Sequence, residues 1–205
     1  MKIIGITGGI GSGKSYVLNL IKEKAGTFVI EADKLAHELM QPGQVVYENV
    51  LATFGNEIIT DDKSIDRAYL RTIVMNDEEK LAKLNSIVHP AVKEYIKKDI
   101  EEKRASGDVK FYVIEAALLI QDNYREICDE IWYVMADLEV RIERLVKDRG
   151  YSREAAEEII SNQPDEEYYA NNSDIMIENN GSQFLLEASL SLLFDEIKDN
   201  KPLEL

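Results

Sequence analysis

Gly8-Gly9-Ile10-Gly11-Ser12-Gly13-Lys14-Ser15 decides how this chain is read. The stretch fits G-x-x-x-x-G-K-[ST], the pattern of a phosphate-binding loop, and its flanks supply the context the pattern requires. Lys2-Ile3-Ile4-Gly5-Ile6-Thr7 ahead of it is a short apolar run, as in a buried strand, and Tyr16 to Lys22 behind it has the make-up of a helix. Glycine accepts positive φ, so the backbone can wrap an anion and turn successive N–H groups inward. The following helix adds unpaired N–H groups and the positive end of its dipole. Gly8, Gly9, Ile10, Gly11, Ser12, Gly13 and Tyr16 are therefore expected around the phosphates of a nucleoside triphosphate. Lys14 would set a point charge on the β and γ groups, and Ser15 would offer its hydroxyl to Mg²⁺. The alternative is a glycine-rich turn with an incidental Lys-Ser.

The 205 residues suit one domain, or one with insertions, and an apolar share of 45% is that of a globular protein with a core. No run approaches the ~20 apolar residues of a membrane span, and the chain begins with a strand where a signal peptide would stand. Its one cysteine, Cys128, allows no internal disulfide and no cysteine zinc cluster, which points to a reducing, cytoplasmic setting. A net charge of −15 opposes binding to nucleic acid or to an anionic membrane. An anionic nucleotide then needs a place where cations gather locally. The expected partner is a small molecule, and the expected assembly a monomer or weak homo-oligomer.

Thr27 to Ala32 reads as a second strand closed by Asp33, with a helix from Lys34 to Met40. Ligands of open α/β sheets sit beyond the carboxyl ends of strands, so Asp33 could take a proton from an attacking hydroxyl or hold Mg²⁺ through water. It could equally cap the helix. His37, one turn on, faces the same side, in a structural role or with Asp33. A mainly helical insert follows from about 45 to 103. In it Arg67 and Arg71 share a helix face, which suits phosphate or a solvated surface with Asp66 as partner. A break at Pro90 would put His89 at a helix cap. The third strand and its exit, Lys110 to Leu119, carry Glu115 near the carboxyl end. A carboxylate there is costly unless paired or metal-linked, so Glu115 supports Mg²⁺ or belongs to a structural ion pair.

Glu130 to Ala136 is the fourth strand, and Asp137 the expected cap of a helix from Leu138 to Arg149 that stops at Gly150. This helix carries Arg141, Arg144, Lys147 and Arg149 opposite an apolar stripe of Leu138, Ile142, Leu145 and Val146. A second helix, capped by Ser152, ends at Gln163-Pro164. The pair reads as a lid whose arginines stabilise a transferring phosphoryl group, or as an ordinary amphipathic hairpin. Asp174 to Asn179 is the fifth strand, Phe184 to Ile197 the closing helix, and 198–202 a polar tail expected to fray.

Along essentially its whole length the chain resembles the dephospho-CoA kinase family. The likeness is carried by Gly5 to Ser15, Ala32-Asp33-Lys34-Leu35-Ala36-His37, Pro42-Gly43, Phe54-Gly55, Asp66-Arg67 with Leu70-Arg71, Leu84-Asn85 with His89-Pro90, Gln163 and Asn179. The first motif is general to phosphate-loop kinases; Asp33 with His37, the arginine pair and His89-Pro90 are more specific. The resemblance implies a three-layer α/β P-loop kinase fold on a five-stranded parallel sheet in the order 2-3-1-4-5. It implies one domain with a core of about 1–34, 108–137 and 170–205, a helical acceptor-binding insertion of about 35–107 and a helical lid of about 138–169. The implied activity is transfer of the ATP γ-phosphate to the ribose 3′-hydroxyl of dephospho-CoA, with Mg²⁺. Asp33 would be the base, Lys14 the phosphate-holding cation and Ser15 the Mg²⁺ ligand. His37, Arg67, Arg71, His89, Glu115 and Leu118 would face the acceptor, and Arg141, Arg144 and Asn179 the nucleotide.

Some positions depart from the family's pattern. Ala117-Leu118-Leu119-Ile120-Gln121 stands where Pro-Leu-Leu-Phe-Glu is usual, and Ile159 where an arginine is usual. Asp148-Arg149 replaces Arg-Asp, a one-residue shift that turns a helical side chain by about 100°. A kinase for another nucleoside-like hydroxyl, or a nucleotide-binding module without transfer, are the alternatives these changes leave.

Overall fold

The computed structural model describes residues 1–198; the fraying expected beyond them lies outside the described residues. The strands are β1 (Lys2–Thr7), β2 (Thr27–Glu31), β3 (Phe111–Glu115), β4 (Glu130–Met135) and β5 (Ile175–Glu178). They form a five-stranded sheet in the order β2-β3-β1-β4-β5, and β1 pairs in parallel with β3 and β4, as β4 does with β5. The central strand is aliphatic on both faces because helices must cover both sides of a parallel sheet. Ile4 and Ile6 of β1 meet Val17, Leu18 and Ile21 of α1 (Lys14–Lys22) in a buried cluster. The carboxy-terminal helix Gln183–Lys198 completes that cluster with Leu186, Leu190 and Phe194. The Phe194 ring stands edge-on to Phe111 at 4.7 Å and to Trp132 at 5.5 Å, a geometry favoured by the ring quadrupoles.

On the opposite face, Gly5 leaves room for the thiol of Cys128 and the side chain of Leu119: a Cβ there would lie 2.9 Å from Sγ and 3.1 Å from both Leu119 methyls. Burial pushes the Cys128 thiol up to about 12, which suits an inert core residue.

Contacts divide the chain into two compact units, residues 1–29 with 109–205, and residues 30–108. In the second, α2 (Ala32–Leu39), α3 (Val45–Phe54) and α4 (Arg67–Met75) pack against one long helix, α5 (Glu78–Ser106). Asp66 and Asp77 cap α4 and α5 by accepting from Tyr69 N and Lys80 N. Among the described residues no helix is long and apolar enough to cross a membrane.

Several local expectations are corrected. β2 ends at Glu31, which takes the extended N-cap position of α2, so Asp33 lies inside the first turn and is not the cap. β3, β4 and β5 also stop short of the expected ends, at Glu115, Met135 and Glu178. No break occurs at Pro90: α5 runs through it, and His89 sits mid-helix. The hydrogen bond that proline removes would have gone to the carbonyl of Ser86. Ser86 is exposed, so water can satisfy that oxygen, while the buried stripe Val88, Val92, Ile96 and Ile100 holds the helix in place on both sides. Asp66 is committed to its cap and is not the expected partner of the arginines.

Gly5→Ala is expected to destabilise the fold by about 1–3 kcal/mol, the usual cost of overpacking a filled core. Urea unfolding of the two proteins measures it, and an unchanged midpoint would refute the tight contact with Cys128.

Candidate active site

The phosphate loop leaves β1 and enters α1 through Gly13, which holds a left-handed conformation with φ 85. A side chain there would be strained and would strike the Asn179 carboxamide. The protein's own donors hold the loop's carbonyls. Arg141 Nε donates to Ile10 O at 2.9 Å. Arg144 Nη1 donates to Gly11 O at 3.2 Å and Ser12 O at 3.1 Å. The Asn179 carboxamide donates to Ser12 O at 2.8 Å, and Arg144 Nη2 ties back to Asn179 O at 2.8 Å. A peptide's C=O and N–H point in opposite directions, so carbonyls bound on one side present amides on the other. Among the described residues no protein acceptor takes the N–H groups of Gly11, Gly13, Lys14 and Ser15.

Lys14 Nζ donates to Gly8 O at 3.0 Å and lies 3.6 Å from Glu115 Oε1. The register that pairs Ile6 with Glu115 puts this carboxylate beside the loop, and the ion pair accounts for a charge at the end of a buried strand. A cavity of about 550 Å³ opens here, lined by Gly8 to Gly11 and Gly13 to Tyr16 of the loop, by Ala117, and by Arg144, Asp148, Arg149 and Gln163. The displaced pair Asp148-Arg149 therefore borders the cavity. Leu118 is exposed in the turn after β3, and the Tyr16 hydroxyl reaches Glu187 Oε1 at 3.5 Å.

The arginines stand on α6 (Leu138–Arg149), which forms a hairpin with α7 (Arg153–Ser161). Ile142, Leu145, Ala156 and Ile160 make the hairpin's core, and Ile10 of the loop packs against it. The apolar stripe is narrower than expected: Leu138 and Val146 are exposed because α7 covers only one side of α6. Ser152 caps α7 through Ala155 N at 3.2 Å. Asp137 occupies the N-cap of α6 but its side chain caps nothing; its N–H is held by Asn180 Oδ1 at 2.8 Å. Burial pulls the half-buried Arg141 below the ordinary guanidinium value, partly opposed by Tyr133, Tyr169 and Glu166.

In the second unit, Asp33 and His37 project from α2 one turn apart, and Arg67 and Arg71 from α4. Burial, then Arg67, draws the His37 imidazole below its ordinary value of 6.5, with Asp33 pulling the other way. His37, Arg67 and Arg71 line a cavity of about 500 Å³ whose other wall is apolar, from Leu70, Val74, Leu84 and Val88. His37 and Arg67 also border a neighbouring space of about 720 Å³ with Lys34, Thr60 and Ser64. Neither cavity has His89 in its lining.

Ser15 is exposed at the phosphate loop, and among the described residues its hydroxyl has no protein partner. Such a donor set suits Mg²⁺, which keeps several waters and completes its shell with phosphate oxygens. Among the described residues no group of three or more His, Cys, Asp or Glu could cage a metal by itself.

Sequence reasoning gave Ile10 and Gln163 no part in linking loop to hairpin. Ile10 N donates to Gln163 Oε1 at 2.8 Å, a bond no local pattern announces across 153 positions.

A family model described as CoaE: Dephospho-CoA kinase matches residues 2–184. A dephospho-CoA kinase of Carboxydothermus hydrogenoformans is 41% identical over 182 residues, 89% of this chain and 87% of that protein. The crystal structure of TT1252 from Thermus thermophilus superposes with a TM-score of 0.78 at 30% identity, over 95% of this chain and 97% of that one. A dephospho-CoA kinase structure from Campylobacter jejuni, 23% identical, shares the fold with a TM-score of 0.73 over 98% of this chain and 99% of that one. With a family match over most of its length and relatives of this similarity, the chain belongs to the dephospho-CoA kinase family.

Proposed function

We propose that this protein transfers the γ-phosphate of ATP to the ribose 3′-hydroxyl of dephospho-CoA, giving coenzyme A and ADP. Family membership supports the acceptor. The observation that carries the chemistry is the loop whose carbonyls are bound by Arg141, Arg144 and Asn179 while, among the described residues, the N–H groups of Gly11, Gly13, Lys14 and Ser15 take no protein acceptor. Phosphoryl transfer asks little covalent chemistry of a protein and much positioning and charge neutralisation.

The loop amides and Lys14 hold the β and γ phosphates. To do so Lys14 exchanges its contacts with Gly8 O and Glu115 for phosphate oxygens. Arg144 and Arg141 keep the loop in shape and add positive charge in a protein of net charge −15. The 138–169 hairpin region serves as the lid, with Arg149 as a further cation. Ser15 would hold Mg²⁺, which would supply charge to neutralise the phosphates. Asp33 accepts the proton of the 3′-hydroxyl as its oxygen forms the bond to γ-phosphorus and the β–γ bridge breaks toward ADP. His37, Arg67 and Arg71 receive the acceptor's phosphates, and His89, Glu115 and Leu118 are further residues proposed for the acceptor. The partner so proposed is a small molecule, since the net charge disfavours nucleic acid and anionic membrane. A reducing cytoplasm suits the buried thiol of Cys128, and a monomer or weak homo-oligomer suffices for the site.

A coupled assay with ATP, Mg²⁺ and dephospho-CoA tests the activity; folded protein that leaves dephospho-CoA untouched yet phosphorylates another hydroxyl would transfer the reading to that acceptor. Asp33→Asn is expected to lower kcat by ~10²–10⁴, the range for loss of a general base, with ATP affinity little changed. An undiminished kcat in that variant removes Asp33 from the role. With only two histidines in the chain, NMR can follow His37 directly. Its imidazole should titrate below 6.5 and move upward when dephospho-CoA binds, because an added anion favours the imidazolium. A downward or null shift would take the acceptor's phosphates away from His37.

A further inference from the structure

We propose that Gln163 is a positioning residue that fastens the tip of the phosphate loop to the α6–α7 hairpin, so that loop and hairpin move as one body. This rests on the ATP-site reading above. The Gln163 side-chain oxygen accepts from Ile10 N at 2.8 Å and from Arg141 Nη2 at 3.1 Å. Both partners are donors, so the atom between them must be the carboxamide oxygen. Arg141 closes a ring, since its Nε donates to the carbonyl of the same Ile10 at 2.9 Å. The Ile10 side chain then packs against the hairpin's buried core. One loop residue is thus held by its N–H, its C=O and its side chain, all from the hairpin.

Gln163 is well placed for such a latch. It follows Asn162, the C-cap of α7, and precedes Pro164, which restricts the backbone of the residue before it. Its own N–H is held by Ile160 O at 3.1 Å. The side chain is therefore offered from a fixed backbone. A hairpin joined in this way cannot swing over a stationary loop. Any shift of the hairpin carries Ile10 with it, and whatever orders the loop orders Arg141.

Gln163→Met keeps the length and removes the acceptor. Calorimetry with ADP and steady-state kinetics with ATP compare it with the parent, and thermal melting checks its fold. Loss of two bonds, one charge-assisted, is expected to lower the melting temperature slightly while folding stays cooperative, and to weaken ADP binding and raise the KM for ATP by about tenfold, with the KM for dephospho-CoA unchanged. In an Arg141→Met background the same substitution should cost far less, because the shared latch is already open. Parent-like ADP affinity in Gln163→Met, or equal losses in both backgrounds, overturns the proposal while leaving the ATP site intact. A parent protein that binds no ADP overturns the ATP-site reading and this inference with it.

Discussion

A backbone that grips an anion must dispose of its own carbonyls. Every buried main-chain oxygen needs a donor, yet the donors that would normally serve are the N–H groups being turned toward the ligand. The protein meets this constraint from outside the loop, with two guanidiniums and a carboxamide. Those groups come from α6 and from the end of β5, distant in sequence, so the loop's shape depends on the sheet and hairpin being in place. The cations so recruited also oppose the acidic background. Half-burial strengthens their field, since charges interact more strongly in a poorer dielectric.

The two chemistries of the proposed reaction are built on unlike scaffolds. The proposed triphosphate side is made mainly of main chain, anchored where β1, β3 and β4 end in a parallel sheet. The proposed acceptor side is made of side chains, Asp33, His37, Arg67 and Arg71, on short helices, α2 and α4, that pack on α5. Main-chain donors lose little freedom on binding, and long arginine side chains lose more. The first arrangement suits a group common to many kinases, the second an acceptor that must be told apart from others.

The sheet and the loop were legible because their signals are local. Apolar runs, glycine spacing and the Lys-Ser pair each constrain a few neighbouring residues, and the strand order followed from the family likeness. What stayed hidden was decided by tertiary contacts. Pro90 looks like a stop, but the burial of Val92, Ile96 and Ile100 beyond it outweighs one missing bond whose acceptor belongs to an exposed residue. Asp33 looks like a cap because Asp favours such junctions, yet the turn begins one residue after Glu31. The duties of Arg141 and Arg144 were illegible for another reason: their partners are carbonyls, and a carbonyl leaves no mark in a sequence. Gln163 was marked by the family likeness and by its place beside a proline at the end of a helix, but neither signal named Ile10 N as its partner.

The single tryptophan lies in the middle of this architecture. Trp132 is fully buried on β4, between the phosphate loop's own strand and the edge, with its indole N–H on Glu130 Oε2 at 3.1 Å and the Phe194 ring against it. Its ultraviolet emission is consequently a private optical gauge of the nucleotide-side unit. Melting of the sheet exposes the indole to water and reddens the spectrum. The four helices around residues 30–108 carry no such chromophore, and their loss registers chiefly in far-ultraviolet dichroism. Two spectroscopies on the untouched protein thus separate the fates of its two halves.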